Sequence, residues 1–352
     1  MKNLTRTFLS LTSRTYPYGM EKRLINKFIT EYQFQKDEYG NIYKIINAKN
    51  EYNGTEKLPS TLFTAHLDTV STGFIYRLSR RFKLPILKSR SVEHILTKDE
   101  DFVKTDGYSI LGADDKAGVV IMLEMIKEEK PGIYYFFIGE EYGRIGSRKV
   151  RDYFYESIFL KNIKKCISFD RSGYTSIITH QRYFRTCSDE FATTICNLLN
   201  ENGFWFFPDP TGKGTDCLSF ADKIDECTNI SVGYFKEHTT RECQDLEFLN
   251  DLTQAILKID WEGIITTRNI SKKNANYGFN DFSYKKIKNL IKPYYIPPTK
   301  KKNKYPYDIP SLKTVNVEKS NINGLETVPV KDDNNQEYVD KIVENIIEDN
   351  GQ

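Results

Sequence analysis

Apolar and polar positions along the chain repeat with two periods that alternate. GMEKRLINKFITEY (19–32) carries apolar side chains at helical spacing and predicts an opening helix. QFQKDEYGNIYKII follows, with Gly40-Asn41 between two β-prone runs, the pattern of a hairpin. LPSTLFTAH (58–66) reads as a short apolar strand ending at His66, and AGVVIMLEMIKEE (117–129) as a buried helix. GIYYFFIG (132–139) is nearly all apolar and β-prone, as expected of a strand covered on both faces. Then SRKVRDYFYESI predicts a helix, KKCISFD (164–170) a strand and EFATTICNLLNENG a helix. NISVGYF (229–235) predicts another strand and DLEFLNDLTQAILKID (245–260) a closing helix. Strands alternating with helices imply an α/β fold, a three-layer α/β/α arrangement around a largely parallel mixed sheet.

Two stretches fall outside this alternation. Residues 71–105 interrupt it, with a basic and partly apolar first half, FIYRLSRRFKLPILKSR. That insertion reads as a flap, a docking element or a solvated surface excursion. Residues 268–335 are rich in Lys, Asn, Pro and Tyr and read as an extended or disordered tail. EYVDKIVENIIED (337–349) regains helical spacing, so 336–352 are expected to form a short amphipathic helix. The core domain, on this reading, is 1–267.

The residues that end the apolar runs have a common chemistry. They lie in TAHLDTV (64–70), LGADDKAG (111–118), FFIGEEYG (136–143), SFDRSG (168–173) and FKEHTTRE (235–242). The chain has four histidines, and two of them, His66 and His238, fall in these segments. His66, Glu140–Glu141 and Asp170 each follow a buried strand, where open α/β sheets place their ligands. Imidazoles with several carboxylates suit divalent metals such as zinc or manganese. The carboxylates exceed what one zinc needs, and Glu140–Glu141 are adjacent, which points to two metals and a separate base. Asp114 can bridge two cations, while Asp115 stands where a helix N-cap belongs. Asp68, two residues after His66, can orient that ring from behind. A metal-dependent hydrolase is the leading reading.

Composition narrows the alternatives. Hydrophobic residues at 39 % and charged residues at 28 % are ordinary for a globular chain. A formal net charge of +3 gives no electrostatic case for a nucleic-acid partner. No apolar run is long enough to suggest a membrane span, and MKNLTRTFLSLTSRTYPYG lacks a convincing signal-peptide core. A cytoplasmic protein is expected. The six cysteines form no CxxC pair and are expected to be reduced and mostly buried.

Taken together and in this order, the five segments resemble the motifs of the co-catalytic di-zinc exopeptidases. That clan includes peptidase T, the glutamate-carboxypeptidase-like enzymes and the bacterial di-zinc aminopeptidases. HILTKDEDFVKTDGYSILGADDKAG (94–118) is especially similar to the peptidase T version, and GTDCLSFAD (214–222) to the aminopeptidase branches. The resemblance covers about residues 8–262 and implies the zinc-exopeptidase, phosphorylase/hydrolase-like fold. It implies that His66, Asp114 and Asp170 hold one metal ion, and Asp114, Glu141 and His238 the other, two zinc ions in all. Glu140 would be the general base and Asp68 the residue orienting His66. It also implies a cis peptide between Asp114 and Asp115.

The chain departs from peptidase T between Asp170 and His238. The stretch 171–237 is too short for the lid domain found there, so a bare catalytic domain is expected. His180 and Arg182 follow a strand and are candidates to replace lid groups that hold a substrate carboxylate or oxyanion; structural or surface roles are the competing reading. Short peptides are the expected substrates of an aminopeptidase or di/tripeptidase. The alternatives are an N-acyl-amino-acid amidohydrolase, or a non-catalytic scaffold on the same fold. Neither nucleic acid nor membrane is expected as a partner, and protein docking through the C-terminal tail is open.

Overall fold

A computed structural model describes residues 3–49, 54–70, 89–97 and 101–270. The first half of the insertion (71–88) and the tail and terminal helix beyond Ile270 lie outside the described residues. The main sheet has eight strands: β1 (Gln35–Lys36), β2 (Ile42–Ile46), β3 (Thr61–His66), β4 (Gly132–Phe137), β5 (Lys165–Arg171), β6 (Ser176–Ile178), β7 (Phe207–Asp209) and β8 (Glu226–Ser231). Their spatial order is β1-β2-β4-β3-β5-β8-β6-β7. The four central strands, β4, β3, β5 and β8, run parallel. β1 and β2 pair antiparallel at one side, and β6 runs antiparallel to β8 at the other. The sheet is therefore mixed and largely parallel, as the alternating pattern implies.

Every residue of β3, β4 and β8 is buried, which is why these strands read as apolar runs rather than as alternations. Successive side chains point to opposite faces. Phe63, Tyr134 and Ile167 enter one core with the helices α1 (Asn3–Thr12), α2 (Lys22–Tyr32), α3 (Ala113–Lys127), α5 (Asp189–Asn200) and α6 (Leu246–Ile256). Their neighbours Leu62, Ile133 and Cys166 enter the other, with Val150 of α4 (Ile145–Asp152) and Phe154, Leu160 and Phe220. Phe63 stacks on Tyr134 at 5.1 Å and meets Trp261 edge-on at 5.5 Å, joining strand to the chain after α6. All six cysteines are buried and unbridged, as expected from the sequence.

Helix α1 is an addition to the sequence reading. Leu4, Phe8 and Leu11 are buried at the spacing of one helical face, so this segment packs on the core. The described part of the insertion also has a definite place. His94–Leu96 and Phe102–Thr105 form two strands of a second, four-stranded sheet with Cys243–Asp245 and Tyr234–Phe235. The second half of 71–105 is thus tied to the strands that flank His238. At the other end, the boundary drawn at 267 falls inside an anchored segment. Arg268 donates to the carbonyls of Ala221, Ile224, Asp225 and Thr186, and its N–H to Glu226 Oε1.

Candidate metal centre

The carboxyl ends of the parallel strands converge. His66 is the last residue of β3, Asp170 is next to last in β5, and Glu140 and Glu141 follow β4. Asp114 comes from the opening of α3, where it and Asp115 depart from helical geometry. The peptide bond between them is cis, as the resemblance implies. The regular helix begins after them, with Asp115 Oδ1 accepting the Gly118 N–H at 3.2 Å as a cap. Gly118 is required there, since a Cβ would fall 2.7 Å from Phe169 O of β5. His238 sits in the loop after Tyr234–Phe235 with φ +63, a left-handed conformation that aims its ring at the strand ends.

Asp114 stands between the two imidazoles. His66 Nε2 lies 3.0 Å from Asp114 Oδ1 and 3.9 Å from Asp170 Oδ1. His238 Nε2 lies 3.1 Å from Asp114 Oδ2 and 3.0 Å from Glu141 Oε1. Glu141 Oε1 is buried and outside hydrogen-bond geometry despite that approach, so the two atoms face a common point rather than each other. Donor atoms of His66, Asp114 and Glu141 lie within 4.8 Å of one another, as do those of His66, Asp115 and Asp170. Asp115 is committed elsewhere: besides its cap, its Oδ2 accepts the His66 N–H at 3.1 Å.

Asp68 has two tasks. Its Oδ1 accepts the Glu140 N–H at 2.9 Å and its Oδ2 the Glu141 N–H at 3.1 Å, so it holds the Glu-Glu backbone. His66 Nδ1 is 3.0 Å from the Asp68 main-chain O and 3.4 Å from its Oδ1. The ring is therefore oriented first by the backbone of Asp68 and only secondarily by its carboxylate. Glu140 is fixed through its main chain, with its carboxyl group in the field of His66, Asp216, Asp170 and Glu141.

Four residues that the sequence left unassigned complete the frame. Glu242, fully buried, accepts the N–H of Gly112 at 2.7 Å and of Asp114 at 3.0 Å, fixing the turn that presents Asp114. Asn229 brackets Asp170, accepting its N–H at 2.8 Å and donating to its O at 2.6 Å. Tyr234 donates its hydroxyl to Asp170 Oδ1 at 3.0 Å. Buried Lys116 donates to Leu67 O at 2.8 Å beneath the crevice. Glu242 stood inside the quoted FKEHTTRE segment, but a single loop carboxylate has no local signal of its partner.

The electrostatics of the crevice call for cations. Burial pushes Glu140, Glu141 and Asp170 above the usual carboxylate range, and their mutual repulsion adds to it. Burial likewise raises Glu242 to about 8 and Asp216 to about 7. Burial opposes the charged form of His238, yet Asp114 and Glu141 outweigh it and lift the ring to about 11. A group of buried carboxylates with two imidazoles is costly unless positive charge offsets it. The donor set, nitrogen and oxygen atoms sharing one central carboxylate, fits two divalent cations.

Fold and site together define a candidate two-cation centre at the carboxyl edge of a parallel α/β sheet. No family model matches the chain. An uncharacterised Bacillus subtilis (strain 168) protein, YqjE, is 37 % identical over 102 residues. That match covers 27 % of this chain and 23 % of YqjE, so the chain spans about a quarter of that relative's length. Among solved structures, aminopeptidase PepT from Bacillus cereus aligns with a TM-score of 0.54 at 15 % identity, covering 72 % of this chain and 96 % of that one. The TET1 peptidase of Pyrococcus horikoshii aligns at 0.55 and 16 %, covering 72 % and 98 %. A Staphylococcus aureus tripeptidase aligns at 0.52 and 16 %, covering 72 % and 96 %. At these identities the likeness establishes the fold. Among the described residues, no helix is long and apolar enough to cross a membrane.

Proposed function

We propose that the protein is a two-metal exopeptidase acting on short peptides, as an aminopeptidase or a di- or tripeptidase. The observation that carries this reading is Asp114, whose two carboxylate oxygens each face a different imidazole at 3.0 and 3.1 Å. His66, Asp114 and Asp170 would hold one ion, and Asp114, Glu141 and His238 the other, with zinc the expected metal. When bound, such cations supply Lewis acidity, polarising a carbonyl and acidifying water. The printed names of the fold neighbours, an aminopeptidase and a tripeptidase, support the peptidase class.

In this reading Glu140 is the general base. Its carboxyl group accepts a proton from the attacking water and returns it to the leaving amine. Proton transfer by a positioned side chain contributes roughly 10²–10⁴-fold. Asp68 holds the base by its main-chain N–H and keeps the adjacent Glu141 turned to its own task. Tyr234 and Asn229 restrain Asp170 while Glu242 restrains Asp114, so the ligand atoms are placed before any cation enters. Residues 171–237 are spent on sheet strands, α5 and their connections, which supports catalysis without an inserted lid.

A screen of chelator-stripped and zinc-restored protein tests the proposal. Aminoacyl, dipeptide, tripeptide and N-acetyl-amino-acid substrates should be compared. The expected result is zinc-dependent release of N-terminal amino acids from short peptides. Cleavage confined to N-acetyl-amino acids would transfer the protein to the amidohydrolases, and no cleavage of any substrate would remove the enzymatic reading.

A further inference from the structure

Beside Glu140 stand two arginines that the two-metal chemistry does not use. Arg144 lies in the turn after Glu141, its N–H donating to Glu140 O at 2.8 Å. Arg182 lies at the tip of a hairpin whose two-residue strands, His180–Gln181 and Phe184–Arg185, pair His180 with Arg185 and Gln181 with Phe184. The tip residues Arg182 and Tyr183 have φ +48 and +72, a conformation that such tight turns usually give to Asn and Gly. Non-glycine residues held there point to a function that outweighs the local strain.

Both side chains grip one turn. Arg182 Nε donates to Lys213 O at 3.2 Å, and its stem covers Gly214, where a Cβ would come 3.1 Å from that Nε. Gly214 leads into the 3₁₀ turn Asp216–Phe220, and Arg144 Nη1 donates to Ser219 Oγ in that turn at 3.2 Å. Arg144 Nε is buried without a partner. Neither arginine forms an ion pair among the described residues, although two like charges approach closely enough for Arg182 to disfavour the charged form of Arg144, second only to burial. Two guanidinium groups with spare donors, held rather than loose, match the planar geometry of a carboxylate. His180, the other candidate in this segment, is buried with Nδ1 2.9 Å from Thr179 Oγ1, and burial with Arg185 lowers it to about 4, so it brings no charge.

We infer that Arg144 and Arg182 form an anion subsite that receives a carboxylate of the substrate, and so select free-acid short peptides over their amides. This rests on the peptidase reading and sharpens it. The carboxylate can be the peptide's C-terminus or an acidic side chain beside the scissile bond, and both share one chemistry.

The test compares Ala-Ala, Ala-Ala-amide and Ala-Glu-amide on zinc-loaded wild-type, Arg182→Gln and Arg144→Gln protein. It reads kcat/KM, and also equilibrium binding of each peptide to Glu140→Gln protein by calorimetry. Charge-assisted hydrogen bonds predict that a carboxylate-bearing peptide is favoured about 10- to 100-fold over Ala-Ala-amide. Preference for Ala-Ala assigns the C-terminus, and preference for Ala-Glu-amide the side chain. The preference should shrink to about threefold or less in either variant; Arg182 is on an exposed hairpin tip, so its variant decides if Arg144→Gln fails to fold. Equal use of acid and amide by wild type, no binding of either, or a preference that survives Arg182→Gln overturns the subsite. Hydrolysis without discrimination removes the subsite and leaves the peptidase reading. Acid-selective binding without hydrolysis of any peptide does the reverse.

Discussion

Replacing Asp68 by Asn tests how the Glu-Glu pair is held. The wild-type carboxylate is fully buried and accepts two main-chain N–H groups, from Glu140 at 2.9 Å and Glu141 at 3.1 Å. Asparagine offers one acceptor oxygen, and its NH₂ must face the other N–H. Leaving one buried donor unpaired costs about 1–3 kcal/mol. The surviving bond loses its charge assistance, about another 1 kcal/mol. The sum is roughly 2–4 kcal/mol of folding free energy. His66 should be little disturbed, because its nearer partner is the main-chain O of residue 68. Urea unfolding of chelated wild type and variant measures the stability term without metal binding to confuse it. Turnover of the zinc-loaded variant should also fall by about 10²-fold as the base loses its position. A stability change below about 0.5 kcal/mol would refute the hydrogen-bond reasoning, since it would mean the two N–H groups find other partners.

Other outcomes follow from the same geometry. Glu140→Gln should retain its metal while turnover falls by about 10²–10⁴; Glu141→Gln should lose activity through one weakened ion site, with added zinc recovering part of it. Metal lost from the first variant and kept in the second would reverse those roles. Arg268→Ala removes donors to four carbonyls and should cost about 2–4 kcal/mol by chemical denaturation, whereas an unchanged midpoint would free the segment after 267 from the core. Asp245, which caps α6 through the Phe248 N–H, is raised by burial from 3.8 to about 6, so the folded state favours its proton. Wild type should therefore lose stability relative to Asp245→Asn as pH rises through 3.8 to about 6, and a difference independent of pH in that window would contradict the assignment.

The central strands could be read from the sequence because burial on both faces makes them continuous apolar runs that stop at the ligands. TLFTAH ending at His66 and GIYYFF ending just before Glu140 are the clearest cases. The same physics hides the rest. The contacts of Glu242 with Gly112 and Asp114, and of Asn229 with Asp170, span long stretches of chain and leave no periodicity. The pairing of Phe102–Thr105 with Cys243–Asp245 is equally non-local, so the second half of the insertion gave no sign of its sheet partner. Helix α1 did carry a helical stripe in Leu4, Phe8 and Leu11, but Ser and Thr between them obscured it. The second task of Asp68 is invisible in an H-x-D triplet, because the groups it holds come from another strand's end.

The central claim is that Asp114 is shared by two cations, and metal stoichiometry by elemental analysis tests it most directly. Protein purified without chelator and supplied with zinc should hold about two ions per chain, His238→Ala about one, and Asp114→Asn markedly less than one. No stoichiometric metal in the wild type, or an Asp114→Asn variant that binds as wild type does, would contradict the account.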